Sequence, residues 1–252
     1  MVHSNAGFYA MTNHANAAIA EIKGLEKKDA YGIIKPGVVS NLGRDKAKAQ
    51  TLQVGKIVTK EASLMIFETP DEKMDGMLGI RWLRDKHVIV DYDKYRVGLP
   101  SESNDSEEFD ADLVHQGYVA HELEWDPTAN QYFANAVVNG SSARLSINTV
   151  SWDALDLNFA IAAKIELGPV VDEYSGPAGD MGQAYLSKKV LKISLDGQTM
   201  QDFQPRIFDK SDYSSGAYSP EKAVAGDIGA DFMLANQAVI DFGTGRFFVK
   251  SR

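Results

Sequence analysis

Two polar triplets occupy corresponding places in the two halves of the chain and form its candidate site. They are Thr12, Asn13 and His14 in the first half and Asn148, Thr149 and Val150 in the second. Hydroxyl and amide side chains donate and accept hydrogen bonds but do not titrate near neutral pH. We interpret the ring of His14 as filling a cleft. The triplets therefore favour binding over proton transfer from water.

A repeat of 23 residues indicates that the chain contains two copies of one unit. Residues 77–99 (MLGIRWLRDKHVIVDYDKYRVGL) align without a gap to residues 227–249 (DIGADFMLANQAVIDFGTGRFFV). The matched pairs include Gly79 with Gly229, Asp91 with Asp241, and Arg96 with Arg246. An offset of 150 residues is too long for a solenoid or propeller unit and is typical of a duplicated domain.

Two further matches place the triplets in this alignment. Gly55 falls on Gly197 at an offset of 142 residues, and the triplets align at an offset of 136, Thr12 with Asn148. We therefore predict an N-terminal lobe over residues 1–100 and a C-terminal lobe over residues 114–252. We expect the two to be related by a pseudo-twofold axis, with Thr12 and Asn148 facing each other across the lobe boundary.

Turn signals and alternating apolar residues predict mostly strands in each lobe. Asn139-Gly140 is the clearest hairpin signal, and residues 153–167 switch to helical spacing. The first lobe follows the same order in shorter form, with a strand over residues 6–12, a helix over residues 15–25 and a hairpin over residues 50–68 around Gly55. Residues 101–113 hold six acidic residues and no basic one. Such a run predicts a solvated linker, with an ordered acidic loop as the alternative.

Composition excludes several classes of protein. The 252 residues are 44% hydrophobic, which is enough for one core or two small ones. The net charge of −9 argues against nucleic acid and anionic membrane surfaces, since both attract basic patches. No apolar run approaches the roughly 18 residues of a membrane span. The chain has no cysteine, so it contains no disulfide and no thiolate metal site.

The compartment follows only weakly from the sequence. A chain without cysteine is compatible with any compartment. Residues 1–11 lack the basic start and apolar core of a signal peptide. Because such a peptide is removed from a mature protein, we keep a periplasmic or secreted location as the expectation.

The layout resembles that of the retropepsin-like aspartic proteases of the pepsin superfamily. In that family an Asp-Thr-Gly turn is followed by a helix and a flap hairpin. Each lobe then closes with two apolar residues and Gly, a short helix, and an apolar strand ending in Ile-Asp-Phe or Ile-Asp-Tyr. Residues 77–79 and 227–229 stand at the apolar–Gly position, and VIVDY and AVIDF stand at the final strand. The resemblance covers roughly residues 6–99 and 117–249. It implies an all-β, bilobal fold with short helices and two pseudo-twofold-related β-barrel lobes.

The chain departs from the family at the catalytic turn. Both triplets stand at the Asp-Thr-Gly positions, yet only Thr149 matches and neither aspartate is present. An aspartic protease needs two close carboxylates that share one proton. His14 and Val150 also replace glycines, and β-branched Val resists a positive φ. The resemblance therefore implies a degenerate dyad at Thr12 and Asn148 and an altered turn.

Other residues are weaker candidates. We interpret Asp91 and Asp241 as structural hydrogen-bond acceptors at a strand end. A dyad shifted onto Asp153 breaks the alignment, because the first half offers only Ala17 at that position.

Metal binding is not expected, and one aromatic residue joins the candidates. His115 and His121 lack the HExxH spacing of a zinc site, so we expect no metal and no cofactor. Tyr174 is a cleft candidate because we expect it to lie on a flap that contains residues 179–184, with a surface tyrosine in a loop as the alternative.

These patterns lead to one function and two alternatives. We expect a catalytically inactive aspartic-protease-like protein, a pseudoprotease. It would bind an extended peptide or a partner protein in the inter-lobe cleft by pairing main chain with main chain. The alternatives are an active aspartic-type peptidase with a non-standard or experimentally altered dyad, and a structural or assembly component. Because one chain supplies both lobes, we expect a monomer.

Overall fold

Strands dominate the computed structural model, which describes residues 1–27, 31–35, 37–69, 74–99, 103–175, 179, 181–209 and 224–250. It is 50% strand and 15% helix. The first ten strands are β1 (Val2–His3), β2 (Ala10–Thr12), β3 (Gly24–Lys27), β4 (Ile33–Lys35), β5 (Val38–Val39), β6 (Asp45–Val54), β7 (Ile57–Ile66), β8 (Gly76–Gly79), β9 (Ile89–Asp91) and β10 (Arg96–Gly98). The others are β11 (Tyr118–Glu122), β12 (Glu124–Asp126), β13 (Gln131–Val138), β14 (Ser141–Ile147), β15 (Ala154–Asp156), β16 (Leu167–Ser175), β17 (Met181–Ser187), β18 (Leu191–Leu195), β19 (Gln198–Phe203), β20 (Arg206–Phe208), β21 (Gly226–Ile228), β22 (Val239–Asp241) and β23 (Arg246–Lys250). The helices are α1 (His14–Ile19), α2 (Ile80–Asp85), α3 (Ser103–His115), α4 (Leu157–Ala162) and α5 (Ala230–Ala235).

Each lobe is built around the same three-strand arrangement. In the first lobe β2 pairs parallel with β7 and antiparallel with β8. In the second, β15 pairs parallel with β20 and antiparallel with β21. A short helix follows β2 and β15, and another follows β8 and β21. The expected pair of lobes with one topology is therefore present.

The 23-residue repeat meets its own copy at the lobe boundary. Strands β9 and β22 pair antiparallel, with Val90 opposite Ile240 at the centre, in a five-stranded sheet of order β10-β9-β22-β23-β11. Beyond this pair, the Tyr92 N–H donates to Ala238 at 2.9 Å and the Phe242 N–H donates to Val88 at 3.0 Å. One main-chain sheet thus joins the two lobes.

The acidic run at residues 101–113 corrects one expectation. Helix α3 occupies most of it, although we predicted a solvated linker. Phe109 and Leu113 lie four residues apart on one helix face and pack against Tyr118 and the central sheet. Asp110 is also buried and accepts a hydrogen bond from Arg246 Nη1 at 2.9 Å. The apolar pair and the ion pair together make this segment an ordered connection.

The strand pairing also corrects the alignment of the triplets at an offset of 136. Strand β2 corresponds to β15 rather than to β14, because β2 and β15 hold the same place between their neighbours. The helices that follow begin at His14 and Leu157, an offset of 143 residues. Their caps match as well, since the side chains of Asn13 and Asp156 each accept N–H groups of the first helical turn. Thr12 therefore corresponds to Leu155 and not to Asn148.

The matched glycines let two backbone segments approach closely. A Cβ built on Gly79 comes 2.2 Å from the Phe8 carbonyl oxygen, and one built on Gly229 comes 2.2 Å from the Trp152 carbonyl carbon. A Cβ atom at either position would therefore collide with backbone atoms of a neighbouring segment. This requirement explains why both copies of the repeat keep glycine.

We therefore expect Gly229→Ala to destabilise the protein by about 3 kcal/mol, as overpacking in a core does. The free energy of unfolding from urea denaturation measures this change. Gly98→Ala is the matched control, because its Cβ meets Ile89 at an ordinary 3.7 Å; it should stay within about 0.5 kcal/mol. Equal effects from the two variants would contradict the close-approach explanation.

Candidate functional site

Two turns meet where the lobes join, and each follows a strand of the same type. Strand β1 pairs parallel with β8, placing Val2 opposite Leu78 and His3 opposite Gly79. Strand β14 pairs parallel with β21, placing Ile147 opposite Ile228. Since Gly79 corresponds to Gly229, the register aligns His3 with Asn148, an offset of 145 residues.

The turns exchange hydrogen bonds in a reciprocal pattern. The Ser4 N–H donates to Thr149 Oγ1 and the Thr149 N–H donates to Ser4 Oγ, both at 3.0 Å. Each hydroxyl then donates across the boundary, Ser4 Oγ to the Ile147 carbonyl at 2.6 Å and Thr149 Oγ1 to the Val2 carbonyl at 3.0 Å. Four hydrogen bonds thus lock the two turns together with near-twofold symmetry.

His3 and Asn148 occupy equivalent positions just before these hydroxyl residues. His3 Nδ1 accepts the Asn5 N–H at 3.3 Å, and Asn148 Oδ1 accepts the Val150 N–H at 3.4 Å. Burial lowers the pKa of His3 to about 4, against a smaller opposing effect of Asp227. The ring is therefore neutral near pH 7, as is the amide of Asn148. The two groups can bind polar atoms, but they do not form a pair of carboxylates.

Two buried carboxyl groups lie near the turns, and each accepts a hydrogen bond from a backbone N–H group or a neighbouring side chain. Asp153 Oδ1 accepts the Gly229 N–H at 2.7 Å, and burial raises the pKa of Asp153 to about 7 despite this bond. The carboxylate of Asp227 accepts a hydrogen bond from the Ser146 hydroxyl. Both side chains are buried, and neither stands at the position equivalent to His3 or Asn148.

Each lobe contains a flap segment, and the two flap segments lie in contact. We use "first flap" for residues 33–35 and 37–39 and "second flap" for the hairpin of β16 and β17. A Cβ built on Gly37 lies 3.4 Å from Met181 Cγ, and one built on Gly179 lies 2.9 Å from Val39 Cγ2. The described parts of the two flaps therefore touch each other.

The second flap is tied to the turn of its own lobe. The Arg206 guanidinium lies over the Trp152 ring, 3.4 Å from the ring centroid, and its Nη1 donates to Asp172 in β16. Tyr174 in β16 packs against Phe208, with centroids 4.8 Å apart, and its hydroxyl donates to the Asp209 carbonyl at 2.9 Å. Tyr174 is thus a support of the flap strand, with its hydroxyl already engaged.

The first-lobe triplet is engaged within its own lobe. Thr12 Oγ1 donates to the Asp75 carbonyl at 2.9 Å, and Asn13 Oδ1 caps α1 by accepting the Asn16 N–H at 2.8 Å. His14 Nδ1 lies 2.9 Å from Glu68 Oε1. These contacts do not bring Thr12, Asn13 or His14 to the second-lobe triplet.

The second-lobe triplet does lie at the lobe boundary, but its backbone differs from our expectation. Asn148 and Thr149 make the contacts described above, and Val150 is 39% exposed. Neither Val150 nor His14 adopts a positive φ. The steric argument for a distorted turn therefore fails, and Val150 instead adds an apolar side chain to the boundary.

Sequence reasoning missed His3, Ser4 and Asn5. The available signal was a shared order of an apolar residue, a polar residue and a hydroxyl residue, at Val2-His3-Ser4 and Ile147-Asn148-Thr149. The two strand-end aspartates, by contrast, have the structural role we expected. Asp91 accepts the Lys94 N–H at 2.9 Å, and Asp241 accepts the Gly243 N–H at 2.7 Å.

Within the described residues, no group of three or more His, Asp or Glu side chains is arranged to hold a metal ion. None of the helices in that part of the chain has the length and apolar character needed to cross a membrane.

Comparison with known proteins finds similarity at the level of structure. No protein-family model and no curated protein sequence matches the chain. Similar solved structures include a retropepsin-like aspartic protease from Rickettsia conorii, with 13% identity, a TM-score of 0.34, and coverage of 53% of this chain and 90% of that one. Conglutin gamma, a basic 7S globulin from lupine seeds, has 14% identity, a TM-score of 0.45, and coverage of 100% and 87%. An aspartic proteinase from Irpex lacteus has 11% identity, a TM-score of 0.43, and coverage of 99% and 88%.

The chain has an aspartic-protease-like fold, all-β and bilobal with short helices. The repeated three-strand arrangement, the central inter-lobe sheet and the paired turns define this class within the chain itself.

Removing one hydroxyl from the paired turns should leave a buried N–H group unsatisfied. We expect Ser4→Ala and Thr149→Val each to destabilise the protein by about 1–3 kcal/mol. The double variant should lose less than the sum, because the four hydrogen bonds hold the same two turns together and either substitution alone already weakens that contact. Urea unfolding of the four proteins measures this coupling. Exposed Ser142 supplies the control Ser142→Ala, and strict additivity of the two site variants would contradict the reciprocal pairing.

Burial of neutral His3 should make the protein less stable in acid. The folded-state pKa of about 4 lies below the ordinary 6.5, so the unfolded chain binds the proton first as pH falls. The stability contributed by neutral His3 is present above about pH 6.5 and is lost toward pH 4, with a slope of up to about 1.4 kcal/mol per pH unit. His3→Asn, whose Oδ1 can still accept the Asn5 N–H, should lose this slope. His115→Asn, at an exposed histidine, should keep it, and an unchanged profile for His3→Asn would refute the assignment.

Proposed function

We propose that this protein is a pseudoprotease that binds an extended peptide segment of a partner between its paired turns and its flaps. The observation that carries this proposal is the equivalence of His3 and Asn148 across the four hydrogen bonds of Ser4 and Thr149. These two positions hold an imidazole and an amide within an otherwise intact frame.

The chemistry of these two groups supports the loss of aspartic-type catalysis. A carboxylate pair that shares one proton activates water with one member and protonates the leaving group with the other. Asn148 cannot take part in proton transfer, because an amide does not titrate. His3 uses Nδ1 to accept the Asn5 N–H. A neutral imidazole beside an amide therefore offers hydrogen bonds to a ligand without the shared proton.

Exposed apolar side chains and flap strands at the lobe boundary support the binding of a peptide. Val150, Trp152 and Met181 are apolar side chains that remain 39–47% exposed on the second-lobe turn and flap. Flap strands also offer main-chain donors and acceptors, which recognise an extended peptide without regard to most of its side chains. Apolar contacts would then select the sequence. We propose that a single chain is the functional unit, because it contributes both turns and both flaps.

The two alternatives predict different behaviour. A peptidase with a non-standard dyad would need a free acid–base group at the turns. The carboxyl groups of Asp153 and Asp227, which lie near the turns, already accept hydrogen bonds from Gly229 and Ser146. A structural or assembly component would bind no free peptide and would instead show its function in a larger complex.

Proteolysis assays test the inactive site. We expect no cleavage of unfolded casein between about pH 3 and 7 and no stabilisation by pepstatin.

Introducing both carboxylates with His3→Asp and Asn148→Asp should create pepstatin-dependent stabilisation in acid, because the two groups then stand at equivalent positions. The control pair Thr12→Asp and Asn148→Asp should not. Casein cleavage by the unaltered chain that pepstatin inhibits would overturn the proposal, and equal behaviour of the two pairs would overturn the placement of the dyad.

Peptide binding is tested with a library of unstructured decapeptides that have apolar central residues, using fluorescence anisotropy. We expect Met181→Asp, on the second flap, to weaken binding of the selected peptide at least tenfold. Val190→Asp is the matched control, because Val190 is similarly exposed in the same lobe but lies outside the flap. The proposal fails if no peptide binds, or if both substitutions weaken binding equally.

A further inference from the structure

The two side chains at equivalent positions of the paired turns each present a hydrogen-bond donor. His3 Nδ1 accepts the Asn5 N–H, so the proton of the neutral ring is on Nε2. Asn148 Oδ1 accepts the Val150 N–H, which leaves the protons of Nδ2 for another acceptor. The backbone of each turn thus fixes which side-chain atom remains for a ligand, and in both lobes that atom is a nitrogen.

Neither nitrogen makes a hydrogen bond with the described residues. Asn148 is only 7% exposed, yet its Nδ2 is not one of the enclosed polar atoms that lack a partner, so this nitrogen is open to solvent. The strands that lead into Asn148 therefore leave its amide uncovered, and His3 holds the equivalent position in the first lobe. A buried side chain with an unused donor at its open end indicates an acceptor on a ligand.

We propose that the paired turns bind a carboxylate of the peptide, one oxygen accepting from His3 Nε2 and the other from Asn148 Nδ2. A carboxylate has two equivalent acceptor oxygens, which match two donors related by the near-twofold symmetry of the turns. A peptide carbonyl has one oxygen and offers no such match. This inference rests on the function proposed above and names the group that the site binds. The carboxylate can belong to an Asp or Glu side chain or to the C-terminus of the peptide.

The charges around His3 determine how a carboxylate is accommodated. Strand β8 and the opposite turn bring only uncharged side chains to His3. Asp227 in β21 is the charged group that acts on the ring, and it raises the pKa of His3 against the larger effect of burial. Asp231 acts instead on Asp153, whose pKa is raised to about 7 mainly by burial. The site therefore has no fixed cation, and His3 is the group that can supply one.

Binding of a carboxylate should bring a proton to His3. Without a ligand the pKa of His3 is about 4, so the ring is neutral near pH 7. A bound carboxylate adds an opposite charge and a hydrogen bond to the charged ring, and both raise this pKa. Binding and protonation are then linked, so the peptide binds more tightly as pH falls from about 7 to about 5, where its own carboxylate is still ionised.

Three acetylated hexapeptides with one apolar sequence test the proposal by fluorescence anisotropy at about pH 5.5. The first has Glu at its fourth position and a C-terminal amide. The second has Gln there and a free C-terminal carboxylate, and the third has Gln and an amide. We expect one of the two carboxylate peptides to bind about tenfold more tightly than the third, since hydrogen bonds to a charged group have about this strength. The tighter peptide identifies the source of the carboxylate.

The outcomes separate this inference from the function on which it rests. Equal affinities of the three peptides would overturn the carboxylate assignment and leave peptide binding in place. No binding by any of them would also overturn the assignment. The function proposed above fails only if the decapeptide library gives no ligand either.

Nuclear magnetic resonance of the histidine rings measures the proton that binding brings. The signals of His3 are those that disappear in His3→Asn. Saturation with the tighter peptide should raise the pKa of His3 from about 4 by about one unit, which is the linked counterpart of a tenfold gain in affinity. The signals of exposed His115 should not respond to the peptide. An unchanged pKa of His3 would overturn the placement of the carboxylate at Nε2. Because this readout follows His3 itself, titration of Asp153 does not affect the conclusion.

An isosteric variant tests the other half of the site. Asn148→Asp keeps an oxygen for the Val150 N–H and replaces the amide nitrogen by a second carboxylate oxygen. Repulsion should weaken binding of the tighter peptide by about tenfold or more, with little effect on the uncharged third peptide. Asn135→Asp is the matched control, because Asn135 is exposed in β13 of the same lobe and gains the same charge. Equal effects of the two variants would overturn the proposal. If thermal unfolding shows that Asn148→Asp is not folded, the resonance measurement on the unaltered chain decides.

Discussion

Main-chain hydrogen bonds across the lobe boundary are the constraint on which the rest of the structure depends. The pairing of β9 with β22 forces the closing segments of both lobes to run antiparallel about one point, between Val90 and Ile240. Tyr92 extends this sheet to the site, because its hydroxyl donates to the Thr149 carbonyl at 3.1 Å. From the other side, Gln131 Nε2 donates to the Asn5 carbonyl at 3.3 Å. Each turn is therefore anchored by a hydrogen bond from the opposite lobe.

The same geometry explains why polar residues remain at positions 3 and 148. The N–H groups of Asn5 and Val150 point at these side chains and need an acceptor. An apolar replacement would leave a partly buried donor unsatisfied, which costs about 1–3 kcal/mol. Two carboxylates would satisfy both donors but repel each other. His3 and Asn148 supply the acceptors without that repulsion, so the frame of the site is stable without the acid–base pair.

Sequence patterns predicted the repeated closing segments of the two lobes but misplaced the first-lobe turn. The matched Gly79 and Gly229 identified the duplicated closing segments. Both positions need glycine, because a neighbouring backbone segment approaches each of them too closely for a Cβ atom. The second-lobe turn was found because a hairpin signal at Asn139-Gly140 leads into it. Residues 1–5 carry no hairpin signal of their own, and the alignment placed the first-lobe turn at the polar segment that begins at Thr12. The register of β1 on β8 reveals the correct partner, and register is a tertiary property that periodicity does not encode.

The two lobes differ in how much core each builds for itself. The separate cluster of the first lobe consists of Ala10, Ala17, Ala47, Ala49, Leu64 and Ile66, so four of its six members are alanine. Alanine buries little apolar area, and each buried methylene contributes about 0.8 kcal/mol. The main core draws instead on large second-lobe side chains such as Phe203 and Phe232, together with Trp82 from the closing helix of the first lobe. Segments with few buried apolar contacts open at lower free energy than the global fold. We therefore expect the hairpin of β6 and β7, which contributes Ala47, Ala49, Leu64 and Ile66 to the small cluster, to open at lower free energy than the main core.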